Sequence, residues 1–140
     1  LNDPINGVPP LMFNTQTNPE DSNKYESEVV RAFSKAVEST DGFFFVLPVY
    51  THSYPGGFKI MLDHIFHEMR DKPVYMLAYG PSSPETAVTD TTKLVNKMHM
   101  KVVGSTVVKI SYTDPEYLGA YADALDAAVA SLAKAASHAE

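Results

Sequence analysis

The chain contains no cysteine, which excludes disulfides, thiol nucleophiles and cysteine-based metal sites. That absence fits a reducing compartment, and a cytoplasmic location is the expectation. Basic residues are few: 11 Lys and Arg against 17 Asp and Glu leave a net charge of −6. No basic patch marks a surface for DNA or RNA, so no nucleic-acid partner is expected. No apolar run approaches the roughly 20 residues that span a membrane, and no membrane partner is expected either. The opening, LNDPINGVPP, lacks the basic and apolar regions of a signal peptide and has no initiator Met. Internal repeats and low-complexity tracts are also missing.

What remains is an ordinary globular composition, 44% hydrophobic and 20% charged over 140 residues, enough for a single domain over 1–140. Residues 1–19, rich in proline and asparagine, read as irregular surface chain anchored by Leu11-Met12-Phe13. Asn18-Pro19-Glu20-Asp21 resembles a helix start, and Tyr25, Val29, Phe33 and Val37, widened by Val30 and Ala36, form its apolar stripe. Phe43–Pro48 is a uniformly apolar run, read as a parallel strand covered on both faces. Phe58, Met61, Leu62, Ile65, Phe66 and Met69 recur at helical spacing and predict one helix through Met69. Further strands are expected over 74–79 and 102–112, the latter bent or bulged at Gly104. Helices are expected over 85–100 and 115–138, the last with a stripe of Leu118, Tyr121, Leu125, Val129 and Leu132. Alternating helices and strands imply an α/β fold, a three-layer α/β/α sandwich on a parallel sheet.

Loops leaving the carboxyl ends of such strands are where open sheets place ligands. The first runs from Pro48 through Val49, Tyr50, Thr51, His52 and Ser53 to Pro55-Gly56-Gly57. It reads equally well as a ligand loop or as an ordinary strand-to-helix turn. The second, Gly80, Pro81, Ser82 and Ser83, leaves a strand at the same sheet edge. Two such loops side by side could flank a planar ligand, although either serine alone is better read as a helix cap. His52, Ser53 and Asp63 do not make a triad, because no G-x-S-x-G elbow is present and Asp63 pairs more simply with Lys59. His64, His67 and Glu68 lack metal-ligand spacing and read as a solvated or dimer-facing helix edge, so no metal is expected. His99 sits near a helix end, where the dipole suffices to explain it, and His138 lies in the tail.

The segment Pro48-Val49-Tyr50-Thr51-His52-Ser53-Tyr54-Pro55-Gly56-Gly57-Phe58-Lys59-Ile60-Met61-Leu62-Asp63 resembles P-E-Y-N-x-S-x-P-G-x-L-K-x-x-L-D of the NAD(P)H-dependent FMN reductase family. Lys72-Pro73-Val74 and the strand at Gly104-Ser105-Thr106-Val107-Val108 are similar to later family segments. The resemblance implies a flavodoxin-like fold with FMN as cofactor and NAD(P)H as co-substrate. Hydride would pass through FMN to a small-molecule acceptor such as a flavin or quinone, in a homodimer or homotetramer. It further implies cofactor contacts at Pro48, Val49, Tyr50, Thr51, His52 and Ser53, and at Gly80, Pro81 and Ser82. No catalytic acid or base is required, since the flavin carries the chemistry.

Val49 and Thr51 stand where the family has Glu and Asn, and His64 where Trp is frequent. The family's first strand and its G-S-x-R-x-x-S phosphate loop have no counterpart, a gap of about one βαβ unit. The expectation is therefore that Leu1 is not the natural start and that Phe43–Pro48 forms an unprotected sheet edge. The competing expectation is a non-catalytic flavodoxin-like interaction module, or a fragment that binds FMN weakly or not at all.

Overall fold

The structure, a computed structural model, describes residues 20–138. The expected irregular segment, its Leu11-Met12-Phe13 anchor and the Asn18-Pro19 helix start lie outside the described residues. Residues 20–40 with 56–70 form one compact unit, and 41–55 with 71–138 form another.

In the first unit, helix α1 spans Glu28–Glu38, with the Ser27 hydroxyl accepting from the Val30 amide. It starts later than expected because Asp21 caps a separate 3₁₀ turn, Ser22–Lys24, by accepting from the Asn23 amide at 3.0 Å. Its buried line is Val30, Ser34 and Val37. Val29 is 42% exposed and Ala36 is exposed too, so the predicted stripe is rotated by about one residue.

Helix α2, Gly56–Asp63, carries the anticipated Lys59–Asp63 ion pair. It does not continue to Met69. His64 and Ile65 bond back three residues to the carbonyls of Met61 and Leu62, and a 3₁₀ turn, His67–Met69, follows. The Glu68 carboxylate accounts for this ending, since it accepts from the Phe66 amide at 3.1 Å and the Tyr25 hydroxyl at 2.9 Å. The Ser34 hydroxyl donates to it as well. Three donors on one buried carboxylate outweigh two further helical hydrogen bonds. Burial first, then the Glu68 hydrogen bond, pushes the Tyr25 phenol well above its ordinary pKa. His64 and Glu68 are buried, which corrects the reading of this segment as a solvated edge.

The second unit holds the sheet, with strands β1 Phe43–Pro48, β2 Pro73–Gly80 and β3 Lys101–Lys109 in the order β1-β2-β3. Both pairings are parallel, from Phe43↔Val74 to Pro48↔Tyr79 and from Pro73↔Lys101 to Gly80↔Lys109. Helix α3, Pro84–Lys97, packs on β2 and β3, and helix α4, Ala122–Ala136, packs on all three strands. Thr92 of α3 meets the sulfur of Met76, while Leu132 of α4 lies 3.4 Å from where a Cβ on Gly42 would stand, beside Pro73. Pro73 and Met76 are an odd number of residues apart on one strand, so the two helices cover opposite faces. The expected α/β/α layering is present within this unit.

Several expectations shift. Helix α3 ends at Lys97, where the His99 and Met100 amides bond to Asn96 and Val95 carbonyls in a Schellman-type stop. His99 takes the left-handed position of that stop, with φ 60°. Helix α4 begins at Ala122, after a 3₁₀ turn at Tyr117–Tyr121. Its covered line is Ala128 with half-buried Leu125 and Leu132, whereas Leu118 and Val129 are over half exposed. Strand β1 is not covered on both faces. Among the described residues it has a strand neighbour on one side only, and Val46 is 56% exposed.

The expected irregularity at Gly104 is a bulge: Val74 pairs with Val102 and Tyr75 with Gly104, leaving Val103 unpaired. A Cβ on Gly104 would stand 2.7 Å from Cε2 of Tyr75. That ring cannot easily retreat, being stacked on Phe44 at 5.3 Å and hydrogen-bonded to Thr106 at 3.0 Å. Gly104→Ala should therefore destabilise the protein by about 1–3 kcal/mol. Chemical denaturation would record this as a lower midpoint, and an unchanged midpoint would refute the close-approach account.

Candidate functional site

The β1–β2 ladder runs one bond past the strand, from the Val49 amide to the Tyr79 carbonyl at 2.9 Å. The chain then folds back on itself. The Tyr50 amide donates to the Ser53 carbonyl at 2.9 Å, and the Ser53 amide to the Tyr50 carbonyl at 3.1 Å. The two residues between them, Thr51 and His52, have φ of 50° and 61°. Positive φ at both central positions is the pattern of a type I′ turn. His tolerates that region moderately, but β-branched Thr is a genuine outlier there. Tyr50 is 63% exposed at the base of the turn.

The second loop leaves β2 directly beside the first. A Cβ on Gly80 would lie 3.1 Å from Cβ of Val49, so the two loops touch at Val49 and Gly80 and a larger residue would press on Val49. Pro81 and Ser82 are exposed. Ser83 precedes α3 in a left-handed conformation with no side-chain cap bond, and its carbonyl accepts from Thr86. The serine-cap expectation for this loop is thus not met. The loop of Pro48, Val49, Tyr50, Thr51, His52 and Ser53 therefore leaves the sheet beside that of Gly80, Pro81 and Ser82, with the contact at Val49 and Gly80, as the pairing of the parent strands requires.

Ser53 is not paired with His52. Its hydroxyl donates to Asp90 Oδ2 at 2.9 Å, tying the turn to the second turn of α3. Lys93 approaches the other oxygen of Asp90 at 3.3 Å. The Ser53 hydrogen bond, followed by that of Lys93, holds the Asp90 carboxyl below its ordinary pKa. A depressed carboxylate pKa means that this anchoring is present above the ordinary carboxylate range and is lost as pH falls through the lowered value. His52, Glu85, Thr86, Thr89 and Asp90 line an open cleft of about 300 Å³.

Sequence reasoning did not find Asp90. It lies 37 residues from Ser53, and its only local signal is Lys93 one turn on, which marks an exposed helix face. Among the described residues, no group of three or more His, Cys, Asp and Glu is placed to hold a metal, and no helix could cross a membrane.

The model of the NADPH-dependent FMN reductase family matches residues 2–114. The chain belongs to that family. An NAD(P)H-dependent FMN reductase of Saccharomyces cerevisiae is 28% identical over 88 residues, 63% of this chain and 46% of that protein. One from Schizosaccharomyces pombe is 39% identical over 56 residues, 40% and 28% of the two chains. The matched segment spans less than half of each of these relatives. Among solved structures, the flavoenzyme NAD(P)H:(acceptor) oxidoreductase FerB from Paracoccus denitrificans aligns with a TM-score of 0.63 at 18% identity. That alignment covers 93% of this chain and 78% of FerB. An oxidoreductase from Corynebacterium diphtheriae gives 0.62 at 21%, covering 80% and 64%. These likenesses establish the flavodoxin-like α/β fold.

Membership of the FMN reductase family makes FMN the group to set against these two loops. What the two loops offer to a flavin ring is mainly backbone. Among the described residues, the amides of Thr51, His52 and Ser82 have no protein acceptor, and Gly80 leaves a gap that any Cβ would narrow. Val49 offers no polar group there.

The family residue at position 51, asparagine, suits the left-handed region that Thr51 is forced into. Thr51→Asn should raise stability by about 1 kcal/mol by relieving that strain. A urea titration showing no gain would mean the turn relaxes in solution.

Proposed function

We propose that this chain carries the ring-binding loops of an FMN-dependent NAD(P)H oxidoreductase acting on a flavin, quinone or similar small acceptor. The observation that supports the reading is the contact of the two loops at Val49 and Gly80, with three amides at their rims that find no acceptor among the described residues. Bound FMN would supply hydride transfer from the nicotinamide to the acceptor. The protein's part is binding and orientation. Backbone donors suit electron-rich ring atoms without the entropy cost of long side chains. The exposed Tyr50 ring offers a flat apolar surface with a hydroxyl at its tip.

The proposal extends to a cytoplasmic homodimer or homotetramer. Absence of cysteine accords with the compartment, and the edge of β1, which has no strand neighbour among the described residues, accords with association, as does exposed Val46. Light scattering coupled to size exclusion should give a mass of two or four chains. A monomer at working concentration would remove this extension without touching the flavin reading.

Purified protein mixed with FMN should show a perturbed visible flavin spectrum after desalting, and should oxidise NADH or NADPH when a quinone is present. Absence of both bound flavin and nicotinamide oxidation would sink the enzyme reading and leave the non-catalytic flavodoxin-like module.

A further inference from the structure

The Tyr50–Ser53 turn holds two residues at positive φ, one of them β-branched. Such conformations persist only where the surroundings over-determine them. Two backbone hydrogen bonds across a two-residue turn at a solvent-exposed tip are a weak constraint on their own. The further constraint is the bond from Ser53 Oγ to Asp90 Oδ2 at 2.9 Å, which reaches the turn from a 14-residue helix packed on β2 and β3.

We propose that Asp90 is a positioning residue of the flavin loop, holding the Tyr50–Ser53 turn through the Ser53 hydroxyl so that the loop's amides stay beside Gly80. This rests on the flavin reading of the two loops. Asp90 is hydrogen-bonded to the proposed ring site at Ser53 and acts through that residue. Its carboxylate is well suited to the task, because an ionised acceptor makes a stronger bond to a hydroxyl than a neutral one does. Lys93 sits on the opposite oxygen, 72% exposed, and helps to keep the carboxylate charged rather than to aim it. The other charged or titratable groups about Asp90 are Glu85, on its own helix, and His52, on the turn. Neither makes a hydrogen bond to Asp90. Ser53 is thus the sole link from Asp90 to the loop among the described residues.

The test combines amide hydrogen exchange on the flavin-free protein with FMN titration of the same variants. Asp90→Ala and Ser53→Ala should each speed exchange at Tyr50 and Ser53 by about tenfold and weaken FMN binding by about fivefold. The double variant should be no worse than either single one, because both remove the same bond. Asp90→Asn keeps an acceptor oxygen and should recover part of both effects, which a merely structural loss would not. Lys93→Ala should stay within about twofold of the parent.

Unchanged exchange at the turn in Asp90→Ala, or additive losses in the double variant, would overturn the proposal. If Asp90→Ala fails to fold, Ser53→Ala carries the same readouts. A parent protein that binds no FMN removes the flavin reading. Exchange rates would then still decide whether Asp90 holds the turn.

Discussion

The site depends on the parallel ladder between β1 and β2. Its register, Phe43↔Val74 through Pro48↔Tyr79, brings both strands to an end at the same level. The bond from Val49 to Tyr79 then carries the pairing one residue into the first loop. Side chains alternate with a period of two, so a slip of one residue would exchange the faces of β1. Phe45 and Leu47 would leave the buried side, and Phe44 would lose its stack on Tyr75. Burial of those side chains therefore sets where the polar loops begin. The Val49–Gly80 contact, close enough that a Cβ on Gly80 would stand 3.1 Å from Val49, follows from that register.

The fold class was legible because strand order in a parallel sheet leaves a coarse signal. Continuous apolar runs bounded by turn residues marked all three strands to within about three residues. The bulge at Gly104 was legible too, since glycine inside a strand needs a reason. Its reason, the Tyr75 ring, was not, because that ring lies on a neighbouring strand 29 positions away in a pairing only the fold supplies. Periodicity misled at 64–69. Ile65 and Met69 are almost fully buried, as helical spacing required, yet they sit in a turn and a 3₁₀ segment. A spacing pattern reports which side chains are buried, not the backbone geometry that buries them. The exposure of Val46 was not legible from composition, which cannot tell a central strand from an edge; the unprotected edge was expected only from the family segments that have no counterpart.

The candidate site was legible in outline and illegible in its supports. Loop 48–53 was found from its place after an apolar run and from the family motif. Loop 80–82 was found from its place at the same sheet edge, and the family resemblance pointed to it as well. Asp90 and Glu68 were missed as organising groups because each collects donors far away in sequence. Glu68 takes Tyr25 and Ser34 from 43 and 34 residues upstream. Asp90 takes Ser53 from 37 residues upstream. In both cases the local context, a charged residue on a helical or near-helical stretch, looks like an ordinary solvated position.

These two carboxylates also show how differently one kind of bond can be used. Glu68 is buried and receives three donors, so its removal would strand a phenol, a hydroxyl and an amide away from water. Its environment fixes the backbone where α2 ends. Asp90 is half-exposed, and water can replace either partner. Such a bond contributes little to global stability and has value only where geometry matters more than energy. The Tyr50–Ser53 turn is a place of that kind. Its backbone is held in a costly conformation whose amides, at Thr51 and His52, find no acceptor in the described protein. A fold free to relax would rotate those residues out of the left-handed region. That the turn is instead pinned from α3, by a single part-buried bond, points to a requirement for the loop's shape over its energy.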